Sequence, residues 1–189
     1  LRKDMEQQLG EQQMSTVSLV AASVASELDL RFALLERVAA MAGPSMHSDA
    51  ALQKFLESRP ELRSLFNGGL IVYRPNFVAA ADFPMIGRVG VSYADRDSVV
   101  AAIRDGKSSV GRPAVGKRLH TPSFLLTVPV RDVQGSIAGA LSGVVNLGER
   151  NFLDHITESH YGKSGGYLIV AARHRLIVTA TDKRRTMEE

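Results

Sequence analysis

The segment Tyr93-Ala94-Asp95-Arg96-Asp97 holds the residue types most able to bind a small charged molecule. A guanidinium presents paired N–H donors that match a carboxylate. Asp95 stands where it can cap the helix that follows, and the free amides of that helix start reinforce an anion-attracting field. Two readings are open: Arg96 holds a ligand's carboxylate, or Asp95 caps the helix while Arg96 pairs with Asp97 or Asp132.

Further along, Gly111 to Arg118 nearly matches a phosphate-binding P-loop. The match fails because Arg118 replaces the required Ser or Thr and Pro113 removes an amide from the cradle. Arg112, Lys117 and Arg118 read instead as a basic rim that attracts anions, or as a solvated face. The five histidines are scattered, and the closest two, His155 and His160, lie five apart, whereas ligands on one helix face stand four apart. No metal site is expected. Ser142 lacks the strand-turn-helix elbow of a hydrolase nucleophile, and capping accounts for Asp95 and Asp97. With no nucleophile, base and orienting group assembled, neither catalysis nor a cofactor is expected.

The elements that must position these residues are read from periodicity. Residues 1–42 carry Val17, Val20, Val24, Leu28, Phe32, Leu35, Val38 and Ala42 at steps of three and four, one stripe down a long helix. Its first turns are almost wholly polar apart from Met5 and Leu9, which suits a projecting stem or a weak self-association contact. Gly43-Pro44 ends it. Asp49 to Phe66 predicts a second helix interrupted at Pro60.

From Gly69 the period changes to two. Gly69 to Tyr73 and Phe77 to Phe83 predict a hairpin, Asp95 to Asp105 a short helix ended by Gly106, and Ser108 to Lys117, Ser123 to Arg131 and Ser136 to Leu147 three further strands. Asn151 to His160 predicts a helix and Gly162 to Gly166 a loop. Tyr167 to Ala171 and Leu176 to Thr181 form a last strand pair. On the strand from Ser136, Ala138, Ala140, Ser142, Val144 and Asn146 share one face, and Ile137, Gly139, Leu141, Gly143 and Val145 the other. Such small residues leave room for a ligand or for a closely packed helix. Phe124 and Thr127, on the neighbouring strand, are expected to line the same space. The fold class that follows is α+β: a long N-terminal helix, a PAS-like five-stranded antiparallel sheet with flanking helices, and the first hairpin of a second module. The division is 1–42, 43–165 and 166–189.

Composition agrees with a folded domain. The 189 residues are 44% hydrophobic and 23% charged, enough apolar material for a sizeable core. A net charge of +3 spread along the chain, with 6% aromatics, does not make a nucleic-acid-binding face. The absence of cysteine excludes disulfides and thiolate chemistry. No run of about 18 apolar residues is present to span a bilayer.

The order of these motifs resembles the membrane-distal half of double Cache sensor domains. A hairpin leads to Gly87, Gly90, Val91, Ser92 and Tyr93, then to the helix start at Ala94-Asp95-Arg96-Asp97, then to Gly106-Lys107 and Gly111-Arg112-Pro113. Val128-Pro129-Val130-Arg131-Asp132, Gly135, Phe152-Leu153 and Gly162-Lys163-Ser164-Gly165-Gly166-Tyr167-Leu168 follow in turn. The resemblance implies a periplasmic domain of an inner-membrane receptor, anchored by segments outside this chain and feeding a diguanylate cyclase or a histidine kinase. It implies ligand contacts from the loop holding Tyr93 and Arg96. Arg112, Phe124, Thr127 and Asn146 are expected to complete the site, and the long helix to associate two copies into a homodimer. Amino-acid-binding members carry aromatic residues after the Arg and an acid near the end of the last strand. Asp97 and Ser98 follow Arg96 here, and Asn146 takes the acid's place, so a carboxylate without an amine is the expected ligand class. The alternative is a ligand-free dimerisation module that relays a partner protein's signal.

Overall fold

In the computed structural model the described residues are 2–154, 166–173 and 175–188, with side chains of 2–4 and 176 excepted. Most of the predicted loop at 162–166 and most of the helix at 151–160 lie outside them. Helix α1 runs Arg2–Ala42 and ends in the 3-10 turn Gly43–His47. Helix α2, Asp49–Glu57, is capped by Ser48, whose hydroxyl accepts from the Ala51 amide. A 3-10 turn at Pro60–Ser64 replaces the predicted continuation of α2, because Pro60 cannot donate to the helix ladder.

The strands are β1 Gly69–Tyr73, β2 Ala79–Phe83, β3 Ser109–Val110, β4 Ala114–Val115, β5 Pro122–Arg131 and β6 Ile137–Asn146, with helix α3 at Asp97–Asp105 between β2 and β3. They form one antiparallel sheet in the order β2-β1-β6-β5-β3, with β4 also on β5. The outermost position, expected as one strand from Ser108 to Lys117, is two short pieces. Pro113 between them has no amide for the ladder, and the break turns Gly111-Arg112-Pro113 away from regular pairing. Beyond the sheet, β7 Leu168–Ala171 and β8 Leu176–Ala180 pair as an antiparallel hairpin.

Each face of the sheet is covered differently. Register places Ile71, Tyr73, Leu125, Thr127, Ala140, Ser142 and Val144 on one face. There Val99 and Ala102 of α3 join Tyr73, Tyr93, Ala140 and Val144 in one buried cluster. On the opposite face Gly143 lies directly under the ring of Phe66, and Gly139 under Met46. The small residues of β6 thus serve both close packing and the α3 side. Gly106 ends α3 in the left-handed conformation, φ 62°, as its position after the last apolar residue predicts.

Residues 1–30 and 31–189 form two units, so α1 contributes its last twelve residues to the second. In the first unit Met5, Leu9, Met14 and Leu19 are exposed, and so is Val17, which was expected on the buried stripe. The stripe is buried only at Leu35, Val38 and Ala42, with Ala39 beside them. No helix among the described residues is long and apolar enough to cross a membrane.

Candidate functional site

Between the α3 face of the sheet and the loops on either side of α3 lies a cleft with about 430 Å³ of unoccupied space, part of it open to solvent. Its floor is Ile71, Leu125 and Val144, its rim is Arg96, Arg112, Lys117 and Arg118, and buried Arg88 also borders it. Among the described residues Asp97 is the single carboxylate residue of the wall.

Tyr93 is buried against the edge of Tyr73, ring centroids 5.1 Å apart, with the Lys117 ammonium 5.3 Å from its own ring centroid. Burial pushes the Tyr93 phenol above its ordinary value. Arg96 is the N-cap residue of α3 and makes no side-chain cap. Its Nη2 donates to the Val115 carbonyl at 2.9 Å, and its Nε stands 3.8 Å from Asp95 Oδ2. Asp95 does not cap α3 as expected, because the helix begins two residues later. Its Oδ1 instead pairs with Lys117 Nζ at 2.7 Å. Partial burial works to raise the Asp95 carboxyl, but Lys117 and Arg96 hold it below its ordinary value. Asp97 accepts from the Ser98 amide at 2.8 Å and the Arg112 amide at 3.0 Å, fixing the bend after β3 to the start of α3. Asp132, the other partner considered for Arg96, ties its own turn by accepting from the Gln134 and Ser136 amides.

Four of the six residues singled out from sequence meet at this cleft: Tyr93, Arg96, Arg112 and Phe124. Phe124 pairs with Val145 while its neighbour Leu125 pairs with Val144, so alternation sends the Phe124 ring to the opposite face. What it adds to the wall is main chain. Thr127 and Asn146 lie outside the cleft. Thr127 is fully buried under α3, with Oγ1 3.0 Å from Ser98 Oγ and 2.7 Å from Ser142 Oγ. Asn146 closes the end of the sheet: its Oδ1 accepts from Thr121 Oγ1 at 2.8 Å and from the Gly148 amide at 2.9 Å.

Sequence reasoning missed Arg88 as a wall residue. Its Nη1 donates to Asp82 Oδ1 at 3.0 Å, with both side chains buried. The signal was the single acid in the strand Ala79-Ala80-Ala81-Asp82-Phe83: a buried carboxylate requires a partner, and a basic residue follows six positions on. Among the described residues no group of three or more His, Cys, Asp or Glu could hold a metal ion.

No family model matches the sequence, and no curated protein matches it by sequence. Solved structures do match in fold. The ligand-binding domain of the Pseudomonas fluorescens chemoreceptor CtaA, in complex with L-serine, aligns with a TM-score of 0.75 at 18% identity, over 100% of this chain and 78% of that one. The ligand-binding domain of the Pseudomonas aeruginosa PAO1 amino acid chemoreceptor PctB, in complex with L-Arg, aligns at 0.77 and 21% identity over 96% and 74%. The sensor domain of the Vibrio cholerae histidine kinase DctB aligns at 0.72 and 15% identity over 95% and 69%. The chain therefore shares the fold of these ligand-binding and sensor domains.

Proposed function

We propose that this chain is the periplasmic sensing domain of a bacterial transmembrane receptor and that its ligand is a small anion, a carboxylate without an amine. The observation that carries the reading is the wall of the cleft: Arg96, Arg112, Lys117 and Arg118 line it besides Arg88, whose charge is paired with Asp82, and among the described residues its single carboxylate residue, Asp97, already accepts main-chain amides. A ligand ammonium group has no comparable partner in that wall. Two of the solved domains with this fold are in complex with L-serine and L-Arg, which supports a small polar ligand for this chain. Arg96, at the start of α3 and on the wall, is the residue that would grip the ligand carboxylate, with Tyr93 and Arg112 beside it.

Ligand binding would shift an existing equilibrium and move α1 relative to the C-terminal connection. In this reading residues 166–189 open a membrane-proximal module, and membrane spans outside this chain connect it to a diguanylate cyclase or histidine kinase. The exposed Met5 and Leu9 of α1 suit self-association into a homodimer.

A thermal-shift screen against carboxylates, amino acids, amines and sugars tests the proposal, because a ligand that binds only the folded state raises Tm with its concentration. The expected result is a response to carboxylates that is lost in Arg96→Ala, whose missing charged hydrogen bonds should weaken affinity about tenfold or more. Silence across all four classes, with a cooperative melt, would favour the ligand-free dimerisation module instead.

A further inference from the structure

Three cations of the cleft, Lys117, Arg96 and Arg118, are already engaged, and by atoms that a ligand could replace. Lys117 Nζ donates to the Ser92 carbonyl at 2.7 Å and pairs with Asp95 at 2.7 Å. Arg96 spans to the Val115 carbonyl at 2.9 Å, and Arg118 Nε to the Gly87 carbonyl at 2.8 Å. These contacts tie the loop 87–96 to the loop 115–118 across the mouth of the cleft. Asp95 is the only one of these acceptors that carries a charge. It is not part of the wall, is more than half exposed, and points its two oxygens at two wall cations, Lys117 and Arg96.

We propose that Asp95 is a built-in competitor for the ligand: its carboxylate occupies the Lys117 and Arg96 charges that an incoming anion must take, and so sets the site's affinity and its bias toward anions that pair better than a single aspartate. The inference rests on the anion-binding reading of the cleft. Its physical basis is that the Lys117 ammonium offers a limited number of donors, and the one held by Asp95 must be released before it reaches a ligand oxygen, while the Asp95 charge 3.8 Å from Arg96 offsets the pull of that guanidinium on an anion. Because Asp95 is exposed, the competition is moderate, and its removal should tighten anion binding about two- to fivefold, the range of an exposed ion pair. The direction is opposite to that of removing a residue that receives the ligand.

The test is an NMR titration of the isotopically labelled 189-residue chain with sodium acetate and with sodium succinate, at ionic strength held constant with NaCl. Wild type, Asp95→Asn and the double variant Asp95→Asn/Lys117→Gln are compared, with thermal melts to confirm folding. Competition predicts a Kd in Asp95→Asn about two- to fivefold lower than wild type, and loss of that gain in the double variant, since Lys117 is the charge set free. Equal affinity in wild type and Asp95→Asn overturns the competitor role and leaves the anion site standing. Weaker binding in Asp95→Asn overturns it too, and would mean that Asp95 contributes to holding the ligand. Resonances of the cleft unmoved by either anion in all three proteins overturn the anion site itself, and the competitor with it.

Discussion

Asp82 and Arg88 are a buried ion pair in which neither charge reaches water. Arg88 Nη1 meets Asp82 Oδ1 at 3.0 Å, and Asp82 Oδ2 accepts the amides of Ile86 at 2.9 Å and Arg88 at 3.1 Å. Arg88 Nη2 donates to the Gly68 carbonyl. The carboxylate therefore folds the chain after β2 back on itself and holds one wall of the cleft. Removing one partner of such a pair leaves an uncompensated buried charge. Asp82→Ala should lose about 3–5 kcal/mol of stability in urea denaturation. A loss below about 1 kcal/mol would mean that Arg88 finds another partner or reaches water.

Tyr73 is fully buried, and its hydroxyl, beside Ser142, meets no partner at hydrogen-bonding geometry. Burial pushes its phenol far above the ordinary value of 10.0, with a smaller opposing effect from Ser142. The native state thus keeps a proton that the unfolded chain releases near pH 10. Stability is full below that pH and falls as pH rises above it, by about 1.4 kcal/mol per pH unit for one such phenol. Tyr93, also raised by burial, adds to the same slope. Tyr73→Phe should flatten the dependence by about one phenol's share between pH 10 and 11, and at pH 7 should cost little, since no hydrogen bond is lost. Denaturation curves across that range check both, and an unchanged slope contradicts the burial account.

Much of the fold was legible because period-two runs and turn residues mark β1, β2, β5 and β6 within a few residues. The broken outer strand was not, since Gly111 and Pro113 lie within a run whose other residues suit a strand. In the site, Asp95 and Asp97 are equally good caps by sequence, yet the N-cap position falls to Arg96 between them. The pairing of Phe124 with Thr127 as lining residues was a parity error visible in advance: three residues apart on one strand, they must face opposite sides. Asn146 has the right face but lies past the cleft, a distance along the strand that composition does not encode. Arg112, Lys117 and Arg118 share a rim because Gly116 and Pro113 bend the chain around the mouth, which spacing alone does not reveal.

Gly143 has no room for a side chain, because a Cβ there would overlap the Phe66 ring. Phe66 is fully buried, so the ring cannot swing into solvent without opening the core. Gly143→Ala should cost about 1–3 kcal/mol through overpacking. Combining it with Phe66→Leu should recover part of that loss, so that the double variant is more stable than the sum of the single changes predicts. Strict additivity in a double-mutant cycle would argue against the clash.

Thr127 separates packing from binding at the cleft. Its hydroxyl joins Ser142 on β6 to Ser98 on α3, and so fastens the helix to the sheet. Thr127→Val keeps the shape and removes the link, leaving two buried hydroxyls to find other partners, at about 1–3 kcal/mol. Since Thr127 is not on the wall, acetate affinity in the variant should stay within about twofold of wild type once the protein is folded. Arg96→Ala should show the converse, a small change in melting temperature and a large loss of affinity, because its side chain is partly exposed and its protein contacts are few. The two variants measured side by side, by melting and by anion titration, distinguish a residue that fastens α3 to the sheet from one that meets the ligand. A Thr127→Val protein with normal stability and lost affinity would reverse these roles and place the ligand deeper, among the hydroxyls beneath α3.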